Sequence, residues 1–290
     1  MPIRPYRRRR SVLYVPALNH KALAKLPALA CDCVVIDLED SIAPSRKAEA
    51  RDAVKHFFET RVADGKEMVI RINALSSEWG ADDLVMARQC RPDAILLPKV
   101  ETARDVLDAN DTLDELDARA SLWLWAMVET PRAMLNLGAI AALGRDRSAR
   151  LACLVAGTND LVKDTGILAT PDRRYLVPWL MQMVLAARAG DLDILDGVSN
   201  DFRDLDALEH ECMEGRNMGF DGKTLIHPAQ IDLANNAFSP APAEVEDALA
   251  IRAAFALPDN ADKGVISLGG KMVERLHLDQ AERLLIKAGL

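Results

Sequence analysis

The chain has 290 residues, half of them apolar and 28% charged, with a formal net charge of −8. That profile fits a globular protein with a sizeable core and argues against nucleic acid as a general partner. No 18-residue apolar run indicates a membrane span, and no long apolar region follows the basic N-terminus as in a signal peptide. The five cysteines, Cys31, Cys33, Cys90, Cys153 and Cys212, form no CxxC pair. Buried, reduced thiols in a cytoplasmic protein are therefore expected.

The chain opens on "RRRR" at 7–10, which is read as a solvated arm or as an anchor for nearby carboxylates. Eight short β-type runs follow, most of them trailed by an Ala/Leu/Arg/Glu-rich stretch of helical spacing. They are "SVLYVPA" (11–17), "CVVIDLE" (33–39), "EMVIRIN" (67–73), "AILLPKV" (94–100), "LWLWAMVE" (122–129), "LACLVAG" (151–157), "LDILDGVS" (192–199) and "GKTLIHP" (222–228). Near-continuous apolar strands suit a parallel sheet covered on both faces. Eight strand–helix units over roughly 220 residues match the size of a (β/α)8 TIM barrel. The alternative is a doubly wound open sheet, which usually carries a Gly-rich first turn. The first strand here ends in "PALNH", so that alternative is disfavoured.

After the eighth run, Pro242 and Glu244 mark a helix start. A Gly-containing break is expected near 258–270, and the chain ends in an Ala/Leu/Arg helix. Residues 1–240 are thus read as the barrel and 241–290 as a C-terminal helical lid or arm. The arm is expected to pack on, or exchange with, a neighbouring subunit.

Reactive groups in such barrels lie at the C-terminal ends of the strands. The second run ends in Asp37, Glu39 and Asp40, the third in Arg71 and Asn73, the fourth in Lys99 and the fifth in Glu129. The sixth leads into Asn159 and Asp160, the seventh contains Asp196, and the eighth ends in His227. Glu129 and Asp160 come from adjacent strands, and two carboxylates without Cys or paired His suit Mg²⁺ or Mn²⁺ better than zinc. The competing assignment pairs Glu129 with Arg71 or Arg132 and makes Asp160 a helix cap. Arg71 is expected to be locked by Glu39 or Asp40 while still offering N–H donors to an anionic substrate. Lys99 and His227 each also fit a structural role, and Trp123 and Trp125 are expected to pack inside the barrel.

Several stretches in order carry a resemblance: "RSVLYVPA", "VVIDLEDSIAPSRKAEAR", "VIRINAL", "ILLPKVET", "VETPRAMLN", "AGTNDL", "LDGVSNDFRD" and "GFDGKTLIHPAQI". From Ser11 onward the chain resembles the citrate lyase beta-subunit-like acyl-CoA lyases (the HpcH/HpaI aldolase/citrate lyase family) of the phosphoenolpyruvate/pyruvate barrel superfamily. The resemblance implies Mg²⁺ on Glu129 and Asp160, and Arg71 near the thioester carbonyl. It implies that Glu39 and Asp40 orient that Arg and the metal's waters. Tyr14 and Lys99 join the substrate-binding set, and a trimer or hexamer is implied. Relatives often end in a "DGKMVD" stretch whose last Asp is an acid/base. Here the segment reads "GGKMVER", with Gly269 and Glu274 at those places. The expected reaction is Mg²⁺-dependent cleavage of a short 3-hydroxy-3-carboxyacyl-CoA thioester, of malyl-CoA or citramalyl-CoA type, to acetyl-CoA and glyoxylate or pyruvate. The alternatives are a malyl-CoA thioesterase and a citrate lyase beta subunit that works on an acyl-carrier protein.

Overall fold

The computed structural model describes residues 6–290. All eight expected strands form and close into one parallel barrel in sequence order. They are β1 Ser11–Pro16, β2 Cys33–Asp37, β3 Glu67–Arg71, β4 Ala94–Leu97, β5 Trp123–Val128, β6 Leu151–Ala156, β7 Asp193–Asp196 and β8 Gly222–Leu225. The surrounding helices are α1 His20–Lys25, α2 Lys47–Thr60, α3 Gly80–Cys90, α4 Ala103–Glu115, α5 Pro131–Ala142, α6 Thr158–Thr165, α7 Val177–Ala189, α8 Leu205–Met218 and α9 Ile231–Ala237.

Successive strand residues face opposite sides of the sheet. One parity packs together as one cluster, with Val12, Cys33, Val35, Val69, Leu96, Trp123, Trp125, Cys153, Val155 and Leu195. The other parity, including Leu13, Val34, Ile36, Ile70, Ile95 and Leu124, joins the helices in a larger apolar layer. The first cluster draws on strands right around the barrel, so it fills the barrel interior, and both tryptophans lie in it as expected. Cys31, Cys33, Cys153 and Cys212 are buried, Cys90 is half-buried, and all five are free. Burial pushes every one of these thiols up, which keeps them protonated and unreactive. No helix among the described residues is long and apolar enough to cross a membrane.

The arginine run is an anchor. Arg9 is 3% exposed and forks onto Glu67 with two bonds of 2.7 Å. It also contacts Asp193, and its guanidinium lies 4.8 Å above the Trp125 ring. Arg10 binds Asp32 at 2.7 and 2.8 Å. Glu67 and Asp193 are the first residues of β3 and β7, so these pairs close the N-terminal end of the barrel.

The chain divides into two compact units, one ending at Phe238 and one of Ser239–Leu290. The second contains α10 Pro242–Ala256, α11 Arg275–Ala288, and two strands, β9 Val265–Leu268 and β10 Lys271–Glu274. Glu244 accepts the Ala241 N–H at 2.7 Å, closing the start of α10. The expected break at 258–270 proves to be half of an antiparallel hairpin, with Leu268 paired to Lys271. Gly269 and Gly270 form its two-residue turn at φ +56° and +80°. Such a turn needs left-handed backbone at both positions, which glycine supplies without a Cβ penalty.

Candidate active site

The strand register explains the acidic end of β2. Asp37 and Arg71 are direct partners in the β2–β3 pairing, and the alternation that places Val35 and Val69 inside the barrel turns both polar side chains to its mouth. Arg71 donates from Nε to Asp37 Oδ1 at 2.6 Å and from Nη2 to Oδ2 at 2.8 Å. The fork expected on Glu39 or Asp40 is therefore on Asp37. Those two residues lie past the strand end and share Nη1, Glu39 at 2.8 Å and Asp40 at 3.1 Å. Behind the guanidinium lies the Tyr14 ring, 5.0 Å away.

The acids differ because one cation serves three of them. Burial would raise Asp37, but Arg71 outweighs it and holds that carboxyl below its usual range. Burial pushes Glu39 up to about 8, with Arg71 opposing and neighbouring Glu129, Asp40 and Asp37 adding. Glu39 Oε2 accepts no hydrogen bond, although Arg71 Nη1 is close. Lys47 shapes the turn by donating to Leu38 O, Glu39 O and Asn73 Oδ1 at 2.7–2.8 Å. Asn73 also donates to Leu38 O at 3.0 Å and to Asp83 at 2.6 Å. Asn73 is thus a buried brace, and Lys47 is a supporting residue that sequence reasoning missed.

Glu129 stands one residue past β5 and is 1% exposed. Its Oε1 accepts the Lys99 backbone N–H at 2.7 Å. The Lys99 ammonium lies 3.4 Å from Glu129 Oε2 and 2.9 Å from Asp160 Oδ1. Asp160 sits in the first turn of α6, whose N-cap is Gly157 with no side-chain cap bond. The cap role for Asp160 is thereby excluded, and Arg132 reaches Glu101 at 3.4 Å, not Glu129. Burial pushes Glu129 up to about 7, against Lys99 and with Asp160 adding.

A Cβ on Gly157 would stand 2.3 Å from Glu129 Cβ and 2.9 Å from its Oε2. Gly157→Ala is therefore expected to displace the Glu129 carboxylate. Divalent-cation affinity should fall at least tenfold, while circular dichroism still reports a folded barrel; unchanged affinity in a cation titration would contradict this packing.

A cavity of about 350 Å³ joins these groups, lined by Tyr14, Asp40, Arg71, Glu129 and Asp160 among others. Asn159 and Asn200 bridge its β6 and β7 sides with reciprocal amide bonds of 3.1 and 2.8 Å. Two expected rim residues are employed elsewhere. Asp196 is fully buried between Arg173 and Lys223. His227 Nδ1 accepts the Ala229 N–H at 3.2 Å, and its ring stacks on Phe202. Glu274 lies in the second unit, at the end of β10, where its N–H donates to His277 Nδ1 at 3.0 Å. It is not among the residues that the barrel brings together.

Among the described residues no group of three or more His, Cys, Asp or Glu is arranged around a metal position. A structural zinc takes four such ligands. A hard divalent cation needs only one or two carboxylates, with water and substrate oxygens completing its shell. Glu129 and Asp160, already bracketing one cationic group, fit that requirement.

Residues 10–228 match the family model of HpcH/HpaI aldolase/citrate lyase. The chain belongs to this family. It is an enzyme of this family. It is 44% identical over 279 residues to a (3S)-malyl-CoA thioesterase of Cereibacter sphaeroides, covering 96% of this chain and 94% of that one. It is 32% identical over 292 residues to citrate lyase subunit beta of Escherichia coli, covering 99% and 95%. Its fold is similar to the crystal structure of protein CitE from Mycobacterium tuberculosis in complex with magnesium, acetoacetate and coenzyme A. That match has a TM-score of 0.76 at 29% identity, covering 97% and 98%.

Proposed function

We propose that this family member is a Mg²⁺-dependent carbon–carbon lyase acting on a short 3-hydroxy-3-carboxyacyl-CoA thioester of malyl-CoA or citramalyl-CoA type. The observation that carries the reading is a guanidinium locked by Asp37 in the same cavity as the Glu129 and Asp160 carboxylates. The magnesium and coenzyme A named for the CitE complex support both the cation and the thioester.

Glu129 and Asp160 would hold the cation, which supplies Lewis-acid polarisation of substrate oxygens when bound. The rest is the work of the chain. Arg71 has Nε and one Nη2 proton on Asp37. The second Nη2 proton is a donor for the thioester oxygen, where negative charge grows as the bond breaks. A donor fixed before the reaction costs no reorganisation during it. Tyr14 supports the guanidinium from behind, and Asp40 accepts from its other nitrogen at 3.1 Å. In the overall step the substrate hydroxyl gives its proton to water, its C–O bond becomes the carbonyl of the keto acid, and the bond to the methylene breaks. The electron pair moves to the thioester as an enolate, and the methylene carbon takes up a proton to give acetyl-CoA. We assign that last proton to Glu274 of a neighbouring subunit, supported by its place in the "KMVE" stretch. The same resemblance supports a homotrimer or hexamer.

A second reading is favoured by the 44% identity to a (3S)-malyl-CoA thioesterase: a water molecule attacks the thioester and releases malate. Product analysis separates the two. Purified protein with Mg²⁺ and malyl-CoA is expected to give acetyl-CoA and glyoxylate in equal amounts. Free coenzyme A with malate would overturn the lyase reading in favour of hydrolysis. Turnover only of a carrier-bound thioester would instead identify a citrate lyase subunit.

A further inference from the structure

Lys99 is attached to the carboxylate pair in two distinct ways. Its backbone N–H donates to Glu129 Oε1 at 2.7 Å. Its ammonium lies between Glu129 Oε2 and Asp160 Oδ1, at 3.4 and 2.9 Å. The first attachment belongs to the main chain, and the second is the tip of a flexible four-carbon stem. The main chain at Lys99 is itself unusual, with φ at +51°. A non-glycine residue pays for that left-handed geometry, so it persists only where the surroundings impose it. Here it aims the N–H at one oxygen of Glu129 and the stem toward the other.

The position taken by the ammonium is also where a cation shared by both carboxylates would be attracted. Two positive ions cannot occupy it together, because their repulsion at such a separation exceeds what either gains by sharing. The side chain is 32% exposed, so it has a way out. It also borders a second cavity of about 450 Å³ that is lined by Asp105 and Asp108.

We propose that the Lys99 ammonium is a placeholder for the divalent cation, holding Glu129 and Asp160 together while the pair is metal-free and leaving when the cation binds. This rests on reading that pair as the cation site. The backbone N–H stays on Glu129 throughout, so the carboxylate is positioned before and after the exchange. Lys99 is in this sense a positioning residue for the metal-free state and a competitor for the loading step.

The test uses Mn²⁺ at pH 8 and needs no turnover. Free Mn²⁺ is followed by electron paramagnetic resonance for the full-length wild type and Lys99→Met. Removing the competitor is expected to tighten Mn²⁺ binding on the order of tenfold. The metal-free variant should also melt earlier than wild type and regain the difference when Mn²⁺ is added. A second measurement uses the wild type alone: acetylation of Lys99 by a lysine-reactive ester, read by mass spectrometry against exposed Lys21. Labelling at Lys99 should rise at least threefold on adding Mn²⁺, on the order expected for release of a paired ammonium. Equal or weaker Mn²⁺ binding by Lys99→Met, or labelling unchanged by bound Mn²⁺, would overturn the placeholder while leaving the cation site in place. No Mn²⁺ binding by the wild type would overturn both.

Discussion

Arg71→Lys is expected to lower kcat by about 10²–10³-fold, the usual effect of removing one preorganised oxyanion donor. The charge survives in this variant but the planar fork does not. An ammonium cannot make the parallel bonds of 2.6 and 2.8 Å to Asp37 and also present a fixed donor to substrate. Asp37→Asn should fall to a similar level, because the amide loses the bidentate acceptor that fixes the guanidinium. The two substitutions attack one device, so the double variant should lose far less than the product of the singles. Steady-state kinetics with circular dichroism on each variant makes the check. A wild-type kcat for Arg71→Lys would remove this guanidinium from the chemistry.

The second large effect is on stability. Arg9→Met should destabilise the protein by about 3–5 kcal/mol, the range for breaking a buried ion pair from one side. Glu67 is 2% exposed and has no other cationic partner among the described residues, and Asp193 loses the same guanidinium. The Trp125 ring also loses the cation stacked on it at 4.8 Å. Arg9→Met combined with Glu67→Gln should recover part of the loss, since an unpaired amide costs less in a dry place than an unpaired carboxylate. Urea denaturation midpoints with unchanged slopes would read both steps. A midpoint for Arg9→Met equal to wild type would mean that water reaches this end of the barrel.

The eight strands could be read from the chain because parallel barrel strands are apolar on both faces, as in "VVID" and "AILL". The hairpin at Val265–Glu274 could not, because its strands have four residues each and a Gly–Gly pair looks the same in a break and in a turn. The strand-end carboxylates were visible, but their partners were not. Which of Asp37, Glu39 and Asp40 receives the Arg71 fork is decided by register, and register is a relation between strands 34 residues apart in sequence. Lys47 gave no signal, since a lysine early in a helix reads as surface. The arginine run was equally ambiguous until Glu67 and Asp193 came to lie beside it. Lys99 is visible in the sequence as a strand-end cation, but its left-handed backbone has no sequence mark.

Strand β3 spans only Glu67 to Arg71, a rise of roughly 13 Å between its terminal residues. Those ends have different duties, because Glu67 is clamped in the floor and Arg71 works at the opening. Val69 separates them with a layer of hydrocarbon that carries no charge from one to the other. New specificities can therefore be selected at the opening, by exchanging side chains on the loops there, without spending the anchorage beneath. A library restricted to the upper loops should contain many folded members even where few of them turn over the original thioester.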